Sequence, residues 1–240
     1  GARQTAQNWR QAQPDNITAI IALGNIEAQA GNLEKARNSF ETAAKAAPDS
    51  AAPLISLGNL ALAEDNRDKA ETYFTNAIRL QPNSQQALRG LTTVMEREEL
   101  TALMENINAS QPDAIAPRLV LLESALLEGN SQQADELTAG LLERENEDTP
   151  APATGLVATI YHGIASQLAQ QGRTEEAGTI LRRGRTLFPD NERVGLQAAI
   201  LAFSQEESQR AREILSDVKQ SHPDSPAPFV VEARHLEQQQ

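Results

Sequence analysis

The chain has 240 residues, a formal net charge of −12, 40% hydrophobic residues with only 3% aromatics, and no cysteine. The acidic balance speaks against duplex nucleic acid, which is held by neutralising phosphates with Lys and Arg, and against an anionic membrane surface. Without cysteine there is no disulfide framework and no thiolate metal site, and no apolar run approaches the roughly 18 residues of a membrane span.

A proline followed by Asp or Asn recurs at Pro14, Pro48, Pro82, Pro112, Pro189 and Pro223, in steps of 34, 34, 30, 77 and 34 residues. A period of 34 marked by a helix breaker and a helix-starting residue predicts an all-α array of helix-turn-helix units. Residues 2–13 read as the second helix of an incomplete unit, through Ala2, Ala6 and Trp9. The first full unit, 17–48, carries Ile20, Leu23 and Gly24, a turn at Gly31-Asn32, then Ala36, Phe40 and Ala43. The second, 51–82, repeats it with Leu57, Gly58, a turn at Asp65-Asn66, Ala70, Phe74 and Ala77. The small residues are expected to let paired helices approach, and Phe40 and Phe74 to fill the wedge where they diverge. Asp15, Asp49, Asn83 and Asp190 are predicted helix N-caps, and the prolines before them are predicted to stop the preceding helices.

The third unit, 85–112, is four residues short. Its helices are marked by Leu88 and Leu91, then by Leu100, Met104 and Ile107, which puts the deletion in a turn near Arg97-Glu98. Glu96, Glu98 and Glu99 with Arg97 read as that solvated turn. The fourth unit, 115–149, has a turn at Gly129-Asn130, and the acidic, Pro-rich run 143–152 is expected to be an exposed loop. A fifth unit spans 153–189 with a turn at Gly172-Arg173, a sixth spans 192–223 with a turn near Glu206, and 226–237 form a terminal helix. The helices at the two ends have no partners, and Phe229, Val230 and Val231 make no polar cap. These end features lead to the expectation of a piece of a longer repeat protein, and the start at Gly1 instead of Met reads as a cleavage remnant or a processed start.

The two units between Ile17 and Pro82 resemble the tetratricopeptide repeat (TPR). The resemblance implies an α-solenoid of about six TPR-like helix-turn-helix repeats in a single right-handed superhelix, whose first helices line a concave face that binds peptides or partner helices. On that face fall Ile21, Asn25, Gln29, Ile55, Asn59, Leu62, Arg89 and Glu96, then Leu119, Glu123, Leu126, His162 and Ser166, and finally Leu196, Ile200 and Phe203. Asn25, Asn59, Arg89, Glu123 and His162 are the predicted groove residues; Asn25 and Asn59 lead, because they stand one period apart and a side-chain amide can pair with the backbone of an extended peptide. The carboxylate clamp of chaperone-binding family members is not expected. Its positions hold Ile21 with Asn25, Ser56, and Gln86 with Gly90, so only the first Asn matches and every cation is missing.

No catalytic constellation is present. The three histidines, His162, His222 and His235, are spread along the chain, and distant repeats do not touch, so neither a metal site nor a catalytic pair is expected. No phosphate-binding Gly-rich loop and no nucleophile elbow occur, so no cofactor is expected. The cluster of Arg182, Arg183 and Arg185 reads as a solvated face. The expected function is therefore a non-catalytic scaffold for a protein or peptide partner, without nucleic acid or membrane insertion, and its oligomeric state is left open. The alternative is the arm of a larger enzyme or of a bacterial envelope assembly or polysaccharide-export system. The Ala- and Gln-rich, cysteine-free style leans towards a bacterial periplasm or cell envelope.

Overall fold

A computed structural model describes residues 1–143 and 152–238 of the chain. Its described residues form fourteen α-helices: α1 Ala2–Ala12, α2 Ile17–Gln29, α3 Leu33–Ala46, α4 Ala51–Ala63, α5 Arg67–Leu80, α6 Gln85–Val94, α7 Arg97–Ser110, α8 Ile115–Glu128, α9 Ser131–Leu142, α10 Pro152–Gln170, α11 Thr174–Leu187, α12 Glu192–Ser204, α13 Ser208–Ser221 and α14 Ala227–Gln238. They make six consecutive pairs, α2–α3 to α12–α13, with α1 ahead of them and α14 after. The coordinates divide into two compact units, Gly1–Pro117 and Arg118–Gln240. Most of the run 143–152 lies outside the described residues.

The proline period sets the joints between pairs as expected. Gln13, Ala47, Gln81, Gln111, Phe188 and His222, each directly before its proline, are the C-caps of the preceding helices. Their φ of −130° to −138° takes them out of the helical region, as a following proline demands. The caps need a correction of one residue. In Gln13-Pro14-Asp15-Asn16 the Asn16 amide donates to the Gln13 carbonyl at 3.1 Å, closing a β-turn in which Asp15 is still a turn residue. The same bond closes at Ser50, Ser84 and Asn191. The N-caps are therefore Asn16, Ser84 and Asn191, whose side chains accept from Ala19, Ala87 and Val194 at 3.1, 3.3 and 3.1 Å. Ser50 takes the same place without a side-chain cap bond. Asn83 has another role: its Oδ1 accepts from the amides of Ile115 and Ala116, both at 2.9 Å, at the start of α8.

Inside five of the six pairs the turn is a left-handed residue: Gly31, Asp65, Gly129, Gly172 or Glu206. The residue after each donates back to the last turn of the first helix, for instance Asn32 to the Glu27 carbonyl and Asn66 to the Ala61 carbonyl, both at 2.9 Å. This is the Schellman arrangement, and it satisfies carbonyls that the helix end would otherwise orphan. The third pair departs from it. α6 has 10 residues where α2 and α4 have 13, so the deletion removed the end of the first helix together with its left-handed turn. The connection is Met95-Glu96, not Arg97-Glu98. Glu96 is the N-cap of α7 in a capping box with Glu99, so these acids start a helix.

Packing follows the small–large pattern. A Cβ placed on Gly24 would come within 2.4 Å of the Phe40 ring, and one on Gly58 within 2.6 Å of Phe74. The glycines thus make room for a ring seated on the first helix. Phe74 is shared, because a Cβ on Gly90 of α6 would also meet its ring at 2.6 Å. Phe40 and Ala36 lie in one buried cluster with Leu57 and Leu60 of the next pair, which binds neighbouring pairs into one core. Glu27 is buried in the first unit, but its carboxylate is met by Arg3 Nε and Asn32 Nδ2, both at 2.8 Å. In the second unit Tyr161 is the largest fully buried side chain, bonded to Thr138 and edge-on to Phe188. On α14 Phe229, Val230 and Leu236 are exposed, with the Lys219 ammonium 4.4 Å from the Phe229 ring centroid.

Candidate functional site: a groove on the first helices

Within the first unit, α2, α4 and α6 line an open groove of about 450 Å³. Each helix turns the same two positions towards it. Ile21, Ile55 and Arg89 each stand seven residues after Pro14, Pro48 and Pro82, and Asn25, Asn59 and Thr93 stand eleven after. Ala52, Ser56, Leu62, Gln86 and Gly90 complete the wall. Asn25, Asn59 and Arg89 are exposed in it, Ile21 is half-buried, and Ile55, 6% exposed, forms its floor. Arg89 is the one charged side chain in the lining. All five positions of the carboxylate clamp border this groove, and apart from Asn25 they carry Ile, Ser, Gln and Gly.

The structure thus brings three of the predicted groove residues together, Asn25, Asn59 and Arg89. Glu123 and His162 belong to the second unit, half-buried on α8 and α10. Burial first, and then the charge of Arg193, lowers the His162 pKa below the ordinary imidazole value. Leu126 and Phe203 are buried, and Phe203 stacks on the His235 ring at 3.9 Å between centroids. Ala52 and Thr93 belong to the groove without having been singled out. The signal for Thr93 was in the sequence, at the 34-residue step after Asn25 and Asn59.

A second concavity of about 410 Å³ lies in the second unit between α11, α12 and α13. Its arginines are engaged: Arg185 with Asp217 at 2.8 Å, Arg210 with Glu207 at 2.6 Å, and Arg182 with Thr179 Oγ1 at 2.9 Å. Arg183, next to them in sequence, pairs with Asp135. Among the described residues no three His, Asp or Glu side chains gather as a metal site. No described helix is long and apolar enough to cross a membrane.

Residues 21–84 and 168–229 match two models of the tetratricopeptide repeat, together just over half of the chain. The chain belongs to the tetratricopeptide repeat family, whose general role is protein–protein interaction and whose repeat domains are typically non-catalytic. No curated protein matches it. Among solved structures it is similar to PilF of Pseudomonas aeruginosa, at 20% identity over 98% of this chain and 100% of that one, with a TM-score of 0.43. It is similar also to PilW, a type IV pilus biogenesis factor, at 16% identity over 91% and 98% with a TM-score of 0.44. A third likeness is to a chain of the APC/C hetero-tetramer Cut9–Hcn1, at 15% identity with a TM-score of 0.46, covering 96% of this chain and 45% of that one. The chain likewise spans 36% of the chain matched in Naa15/Naa10 bound to HypK. The family assignment rests on the repeat models and the residue pattern, not on these likenesses.

Proposed function

We propose that the chain is a non-catalytic interaction scaffold that holds an extended segment of a partner protein in the groove of α2, α4 and α6. The observation that carries this reading is the placement of Asn25, Asn59 and Arg89 in one open groove over an apolar floor of Ile21 and Ile55. Side-chain amides one repeat apart offer a donor and an acceptor each to a peptide backbone that runs across the helices. The apolar floor adds burial of the ligand's side chains, and an array of preformed helices binds without ordering itself first.

The test is selection of binders from a displayed random-peptide library, followed by measurement of their affinity. Asn25→Ala with Asn59→Ala removes amide contacts, each contributing about 1 kcal/mol, and is expected to weaken selected peptides by roughly tenfold or more. Ser56→Trp fills the groove and is expected to abolish binding. Selected peptides that bind both variants as they bind the wild type would place recognition elsewhere.

A further inference from the structure

We propose that the segment held in this groove is a polyproline-II-like stretch with short apolar side chains at two positions three residues apart and an Asp or Glu three residues further, seated on Arg89. This rests on the groove reading above and adds to it the identity of the ligand's side chains.

The repeat register supplies the pattern. In the row seven residues after each proline, the groove presents Ile21, Ile55 and then Arg89; in the row eleven after, it presents Asn25, Asn59 and Thr93. One row reads apolar, apolar, cationic, and the other amide, amide, hydroxyl. Arg89 breaks the apolar row with a full charge, and no acidic side chain lines the groove. Three arginines of this unit are engaged: Arg3 bonds to Glu27, Arg37 to Glu64, and Arg67 to the carbonyls of Thr93 and Val94. No such bond or ion pair holds the exposed Arg89 guanidinium among the described residues. In a chain of net charge −12, a cation left without an acid in a concave site is matched by a carboxylate arriving with the ligand.

Spacing selects the backbone conformation. The first helices of successive pairs pack on one another, and packed helices lie about 8–10 Å apart. Polyproline II rises about 3.1 Å per residue with three residues per turn, so every third side chain returns to the same side after about 9 Å. A β-strand would turn residues i and i+3 to opposite faces. Polyproline II also has no internal hydrogen bonds, which leaves its peptide groups open to Asn25 and Asn59. Because Ile55 is a buried floor, the apolar places suit Ala or Val better than large rings.

The test is fluorescence anisotropy of the whole chain with labelled peptides. The probe is Val-Pro-Ser-Val-Pro-Ser-Glu within Gly-Ser flanks, amidated at its C-terminus, together with its reversed order to cover both directions. One comparison peptide has Gln for Glu; another has Gln and a free C-terminal carboxylate directly after it. In one of the two orders the amidated Glu peptide is expected to bind roughly tenfold or more tightly than the Gln peptide. Arg89→Gln is expected to equalise the two, and Arg89→Glu to favour a Lys peptide instead. Equal binding of Glu and Gln peptides that Ser56→Trp still blocks would overturn the acid contact and leave the groove standing. A free-carboxylate Gln peptide that binds as well as the Glu peptide would also overturn it, since a chain terminus would then be what is read. No binding in either order, or binding that ignores Ser56→Trp, would overturn the proposal and the groove reading together.

Discussion

Phe74→Ala is expected to destabilise the first unit by about 3–5 kcal/mol, the range for deleting a fully buried aromatic side chain. Its melting temperature should fall by roughly 10 °C or more, read by circular dichroism. Phe74 is fully buried and sits between two glycines of different pairs, Gly58 on α4 and Gly90 on α6. Its removal therefore opens a cavity at the joint between pairs as well as within one. Gly90→Ala tests the same contact from the other side. Alanine in a helix gains about 0.5–1 kcal/mol over glycine, but its Cβ would stand 2.6 Å from three atoms of the Phe74 ring. The ring is backed by Gly58, so retreat is blocked, and overpacking at about 1–3 kcal/mol outweighs the gain. A stabilised Gly90→Ala variant would mean that the ring moves freely and that the joint is looser than described.

In the second unit the test falls on Tyr161, its largest fully buried side chain. Its hydroxyl lies 3.2 Å from Thr138 Oγ1 with both residues buried, so Tyr161→Phe leaves the Thr138 hydroxyl without this bond. The expected cost is about 1–3 kcal/mol, and adding Thr138→Val should recover part of it. Burial raises the Tyr161 pKa above its ordinary value of 10.0, and the bond to Thr138 pulls the other way. A phenol held protonated by the fold contributes stability that is present below pH 10 and is lost as the pH rises beyond it. Urea unfolding at pH 8 and pH 10.5 should therefore show a smaller alkaline loss for Tyr161→Phe than for the wild type. An unchanged alkaline loss would mean that the phenolate is as well solvated in the fold as in the unfolded chain.

Much of this architecture was legible because proline and glycine act locally. A proline fixes where a helix stops, and the left-handed turns favour a residue without a Cβ, as at Gly31, Gly129 and Gly172, although Asp65 and Glu206 take the same conformation. The helix starts were misread by one residue because the Asp after each proline completes a turn before the helix begins. The deletion in the third pair was placed in the turn, whereas it shortened α6, since apolar spacing marks a helix face and not its last residue. The groove was legible in part for a related reason. On a helix one residue is a rotation of about 100°, so a pattern of apolar positions does not separate the face turned to the groove from the face turned to the next pair. Ile55, Leu126 and Phe203 are buried, whereas Asn25, Asn59 and Arg89, whose polar groups disfavour burial, are exposed.

The most direct measurement is an amide-resolved NMR titration of the isotope-labelled chain with a library-selected peptide. Shifts are predicted to concentrate at Ile21, Asn25, Ile55, Asn59, Gln86, Arg89 and Thr93, the positions that α2, α4 and α6 turn to the groove. Shifts clustered instead on exposed second-helix positions, such as Glu34, Lys35, Thr72 and Asn76, with the groove amides unmoved, would contradict the account.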